Sequence, residues 1–150
     1  MTQLAYNIPT HSRLSEYVSK VDYCDSLSEY KQTTEDITTI TKRLFQLPSW
    51  AIILFRIRNV LVKPLGLKLS QDEDLNPGNG LPFPELACFE NELIMHATDK
   101  HLKFWLSVLK TETSVIVTTA LEYKMRLGKF YFFLIKPFHI LIIKSMLSRL

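Results

Sequence analysis

The sequence predicts a single α+β domain in which a long C-terminal helix covers an antiparallel sheet. Three observations carry that expectation. Residues 101–109 alternate, with Leu102, Phe104, Leu106 and Val108 on one side and His101, Lys103, Trp105 and Ser107 on the other, the period of a half-buried strand. The short linkers Thr98-Asp99-Lys100 and Lys110-Thr111-Glu112 flank this run and suit hairpins, so the sheet reads as an antiparallel meander. The segment from Gly128 to Leu150 is strongly apolar. A sheet with one apolar face needs a cover, and this last segment alone is large enough to supply it.

Taken in order, residues 1–20 are polar and weakly patterned, and read as a loosely attached arm with a short helical turn ahead of a domain at 21–150. Residues 21–31 alternate in part, anchored by Val21, Tyr23 and Leu27, and predict the first strand. Two short helices follow. Thr34-Glu35-Asp36 is a helix start, with acids favoured by the dipole of the first turn, and Ile37, Ile40, Leu44 and Phe45 form its stripe. Trp50, Ile53, Leu54, Ile57 and Leu61 mark the second helix, with Arg56, Asn59 and Lys63 opposite, and Pro64 and Gly66 stop it. Residues 69–82 are acidic and then turn-rich, a loop. One or two strands occupy 84–96, where Phe89-Glu90-Asn91-Glu92 fits a hairpin turn, and residues 113–122 supply a β-branched strand with Val115, Val117 and Leu121 on one side. The last segment has the length of a membrane span, but Lys136, Pro137, His139 and Lys144 lie inside it. Charges near a bilayer centre cost about 2.5–3.5 kcal/mol each, so the expectation is a long buried helix kinked near Pro137, with no transmembrane segment.

Composition narrows the class. A chain of 150 residues buries roughly 70% of its unfolded surface, so it needs neither disulfide nor metal to fold. Hydrophobic residues at 47% and charged residues at 22% exclude a disordered chain. Cys24 and Cys88 lack metal spacing and read as buried free thiols. Together with an N-terminus that lacks a signal-peptide pattern, they point to the cytoplasm.

The net charge of +3 is too small to imply nucleic acid, and the bases are not interleaved with exposed aromatics. Its distribution is uneven: residues 42–68 carry six bases and no acid, residues 69–99 seven acids and no base. Either the two stretches neutralise each other, or the basic helix is a docking face.

Few motifs carry chemistry. There is no G-x-S-x-G, no GxGxxG and no P-loop, so no cofactor is expected. His11, His96, His101 and His139 have no metal-ligand spacing on one element, so no metal is expected. His139 has two readings: a core histidine bonded to a backbone carbonyl, Asp22 or Asp25, or an acid/base group facing a cavity. Asp22 and Asp25 either cap a turn or orient Arg56 or Arg58.

Five segments also carry a resemblance: Asp22-Tyr23-Cys24-Asp25-Ser26, Pro48-Ser49-Trp50, the run from Arg56 to Lys68, His101-Leu102-Lys103-Phe104 and Leu134-Ile135-Lys136-Pro137-Phe138-His139. They are similar to a bacterial family known only as a domain of unknown function, whose members stand alone or follow a reductase-like nucleotide-binding domain. The element order resembles the helix-grip fold of the START-like (SRPBCC) and birch-pollen-allergen-like superfamily. That resemblance implies a cavity between sheet and last helix, and no particular activity. Where the family often has a glycine-arginine pair, this chain has Gly128-Lys129, which keeps the charge and loses the bidentate fork.

The leading expectation is therefore a binding domain for a small apolar or amphipathic ligand, its cavity lined by Phe104, Trp105, Tyr131, Ile135 and His139. The alternatives are a module that docks an acidic partner or membrane surface through Arg56, Arg58 and Lys63, and an enzyme with His139 as base oriented by Asp22 or Asp25.

Overall fold

The computed structural model describes residues 1–46, 49, 53, 81, 83–98 and 101–150. Period-two runs become strands. β1 (Gln3–Ala5), β2 (Tyr23–Tyr30), β3 (Glu85–Cys88), β4 (Glu92–Thr98), β5 (Leu102–Lys110) and β6 (Ser114–Tyr123) form one sheet in the order β1-β2-β6-β5-β4-β3, antiparallel throughout. β3 to β6 are the expected meander. The first long strand closes against the last, with Asp25 opposite Thr119 and Leu27 opposite Val117.

Helix α1 (Ile37–Leu44) is capped by Asp36, whose side chain accepts from Thr39 N at 3.0 Å. Its buried residues Ile37, Ile40 and Leu44 are the expected stripe. α1 lies against β4 and β5, and the C-terminal helix α2 (Arg126–Leu147) against β6 and β2. Leu27, Leu93, Met95, Leu106, Val108, Val115 and Val117 meet α1 and the Ile143, Met146 and Leu147 end of α2 in the main core. Of the second predicted helix only Ile53 is described, as helical and exposed, and the rest lies outside the described residues.

Two expectations change. The arm at 1–20 is not loose. Its strand β1 pairs with β2, and a 3₁₀ turn (Arg13–Glu16) drops Leu14, fully buried, onto the face of the sheet away from the helices, among Ile94, Trp105 and Ala120. There Glu92, 1% exposed, accepts from Ser12 Oγ, Arg13 N and Ser107 Oγ at 2.5–2.7 Å. Three donors satisfy a carboxylate that the sequence placed in a turn, and tie the arm down.

The last helix is not buried either. It begins at Arg126, not Gly128, and runs through Pro137 as one element. Only 28% of its most apolar window is inside the protein. Gly128 seats it: a Cβ there would stand 2.3 Å from the carbonyl oxygen of His101, and that oxygen also accepts from Lys124 N at 2.9 Å. Here the glycine serves close approach of two backbones. Both cysteines are free, as expected, but Cys88 is exposed and Cys24 half-buried.

Candidate functional site

Alternation along β2 turns Tyr23, Asp25 and Leu27 toward α2. On α2, Phe132 and His139 are seven residues apart and share the face that meets them. Asp25 is fully buried. Its Oδ2 accepts from Tyr23 Oη at 2.7 Å and from His139 Nε2 at 3.0 Å. The ring of Phe132 packs 4.6 Å from Tyr23 and 5.7 Å from His139, and Lys136 Nζ lies 5.0 Å from both the Tyr6 and Tyr23 rings. Burial first, and then the hydrogen bond to Asp25, hold the Tyr23 phenol far above the ordinary tyrosine range. Tyr23 is therefore a donor here and not a nucleophile.

One half of this cluster is incomplete. Asp25 Oδ1 is buried without a hydrogen-bond partner among the described residues, and so is Thr119 Oγ1, directly across the ladder on the same face. Leaving a buried acceptor unmade costs about 1–3 kcal/mol. His139, bonded to the other oxygen of Asp25, is 19% exposed at its side chain, while Asp25 itself is fully buried. The arrangement suits relaying a proton, or recognising a small group that donates a hydrogen bond.

Asp22 is placed elsewhere. Its Oδ2 accepts from Tyr123 N at 2.8 Å and its Oδ1 lies 3.6 Å from Lys20 Nζ, so it pins the end of β6. Of the two aspartates, the structure brings Asp25 alone to His139. Arg56, Arg58 and Lys63 lie outside the described residues.

Of the five residues expected to line a cavity, four face the layer between sheet and α2. Tyr131 joins Phe132, Leu102 and Leu121 in a packed cluster against which Phe104 and Ile135 rest, and Phe104 also meets Phe83 edge-on at 4.7 Å. Trp105 points the other way, stacked on His96 at 4.9 Å under the arm. Neighbours on a strand take opposite faces, so Phe104 and Trp105 cannot line one space. A groove of about 240 Å³ does exist, between the arm and β2 at Leu4, Asn7, Pro9, Ser26 and Ile116, on the far side of the sheet from α2. Among the described residues no group of three or more His, Cys, Asp or Glu is arranged to hold a metal ion.

The outer face of α2 was not anticipated. Phe130, Phe133, Leu134, Pro137, Phe138 and Leu141 are all exposed, Phe133 by 73%. Their spacing of three and four residues makes one unbroken apolar stripe. The sequence carried the signal, since α2 is apolar on both sides, but apolarity alone does not tell an inner face from an outer one. Single exposed apolar residues are ordinary; a contiguous row of six marks a surface that meets something.

Neither the curated proteins nor the solved structures gave a match to this chain. A family model described as "Protein of unknown function (DUF2867)" matches residues 18–146, a span that takes in β2 with Asp25, the meander and nearly all of α2, and the chain accordingly belongs to that family of proteins of unknown function.

Proposed function

We propose that this domain is a docking module that works through the outer face of α2. The observation that carries the reading is the six-residue apolar stripe from Phe130 to Leu141, exposed on a helix whose other face is committed to the sheet. Support also comes from the inner layer. Phe104, Tyr131 and Ile135 pack there against Leu102 and Leu121, which favours a surface over an enclosed carrier. The element order remains compatible with a helix-grip arrangement, one whose grip is filled by side chains.

The test is a photo-crosslinking amino acid placed at Phe133 in the producing cell, with Tyr30, exposed by 70% on β2, as the control position. The reading expects a macromolecular or lipid adduct from position 133 and none from position 30. Equal labelling, or none from 133, contradicts it.

A second reading rests on the buried Asp25 Oδ1 and Thr119 Oγ1, which have no partners among the described residues. It makes the cluster a site for a small amphipathic molecule bearing a hydrogen-bond donor, with His139 moving a proton if the domain is catalytic. Native mass spectrometry tests it. An adduct held by the natural chain and lost in Asp25→Asn supports the site, and an adduct indifferent to that change places the molecule elsewhere.

A further inference from the structure

The docking reading leaves the occupant open, and the charges round the stripe select one. Arg126 lies four residues before Phe130 and Lys144 three after Leu141, so a base closes each end of the apolar row. Lys129 is four residues before Phe133 and runs along its flank; all three bases are exposed. From residue 123 to residue 150 the chain carries six bases and no acid.

A second copy seated helix against helix would bring these bases together in either orientation. No acid on the helix would pair them, and like charges facing across an interface oppose association. An anionic lipid surface has the complementary sign. Phenylalanine and leucine on one face with lysine and arginine at the rim is the composition of a helix lying in the plane of a bilayer, its apolar side sunk roughly 5–10 Å into the acyl boundary. The row from Phe130 to Leu141 is about 16 Å long at the helical rise. The opposite face is tied to the sheet through Phe132 and the His139–Asp25 bond, so the helix meets a membrane lengthwise and does not cross it.

We infer that α2 is a peripheral membrane anchor that seats this domain on an anionic lipid surface. The inference rests on the docking reading and names its partner.

The experiment is flotation of the full chain with vesicles of phosphatidylcholine, with and without phosphatidylglycerol. Partition into the anionic vesicles only, weakened by salt, is expected. Two double variants, Phe133→Ser with Phe138→Ser and Lys129→Glu with Lys144→Glu, should each lower it by roughly tenfold or more. All four residues are exposed, and the charge variant leaves every apolar contact in place.

Partition that ignores both variants overturns the inference. Absence of partition, with stripe-dependent self-association in its place, overturns the membrane and keeps the docking reading, with a second copy as occupant. If neither vesicles nor a crosslinker at position 133 report a contact, or if Phe133→Ser unfolds the chain because its own residues cover the stripe, both readings fall.

Discussion

The two faces of α2 are built from the same kinds of residue and meet different surroundings. Phe132 is 4% exposed, packed on Tyr23 and His139, while its neighbour Phe133 is 73% exposed. Tyr131 joins the packed cluster with Leu102 and Leu121, and Phe130 faces outward. Hydropathy treats the three phenylalanines alike. What separates them is which side the sheet occupies, and that is decided by strands distant in sequence. An apolar helix therefore carries two messages: one face builds the fold, and the other is left over for use.

The sharpest way to break this comparison is to truncate the inner face. Phe132→Ala should destabilise the domain by about 3–5 kcal/mol, as aromatic truncations in packed cores do, read as a lower midpoint in denaturant at unchanged slope. A loss as small as that expected for exposed positions would mean the inner face is not a core. Gly128→Ala probes the seating of the helix. Its new Cβ would meet the backbone carbonyl of His101, which cannot swing away as the end of a side chain can, and overpacking of this sort costs about 1–3 kcal/mol. Gain of stability, as at an ordinary exposed helix glycine, would contradict the close approach.

Asp25→Asn sharpens the polar part of the inner face. It keeps the shape and weakens the acceptor that receives Tyr23 and His139, a loss of about 1–3 kcal/mol. The same change should bring the Tyr23 phenol down toward the ordinary range, since Asp25 contributes to its elevation after burial. A spectroscopic titration of the tyrosines reads that shift.

The two thiols repeat the inside–outside contrast with no effect on stability. Cys24 is half-buried, and burial, with the neighbouring Asp25 charge, pushes its thiol up to about 11. Cys88 is exposed. Only the thiolate reacts, so alkylation near neutral pH followed by mass analysis should mark Cys88 well before Cys24. Equal rates would contradict the placement of Cys24.

Much of this architecture was legible in the sequence. Alternation at Leu102, Phe104, Leu106 and Val108 gave β5 and its facing, and the helix start at Thr34-Glu35-Asp36 with the stripe Ile37, Ile40 and Leu44 gave α1, although Asp36 caps the helix and does not sit in its first turn. Local periodicity suffices where an element has one wet face and one dry one. It failed where both faces are covered or both are apolar. The hairpin turn at Phe89-Glu90-Asn91-Glu92 was legible, and Phe89 N donates to the Glu92 carbonyl there, but the burial of the Glu92 side chain was not, because the three donors that accommodate it come from the arm and β5. Trp105 read as cavity lining because it is aromatic, although its own alternation put it on the other face from Phe104. The pairing of Asp25 with His139 was one of several possibilities in the sequence. Choosing it over Asp22 needed the register of β2 against β6 and the placement of α2, both long-range facts.

The central claim is that the stripe from Phe130 to Leu141 is a surface free in the folded chain, and thermal unfolding of Phe133→Ser beside the natural protein tests it most directly. The account predicts a change within about 0.5 kcal/mol, the range for surface positions that contribute no packing. A loss of the size expected for Phe132→Ala would show that the chain itself buries Phe133, and would contradict the docking face.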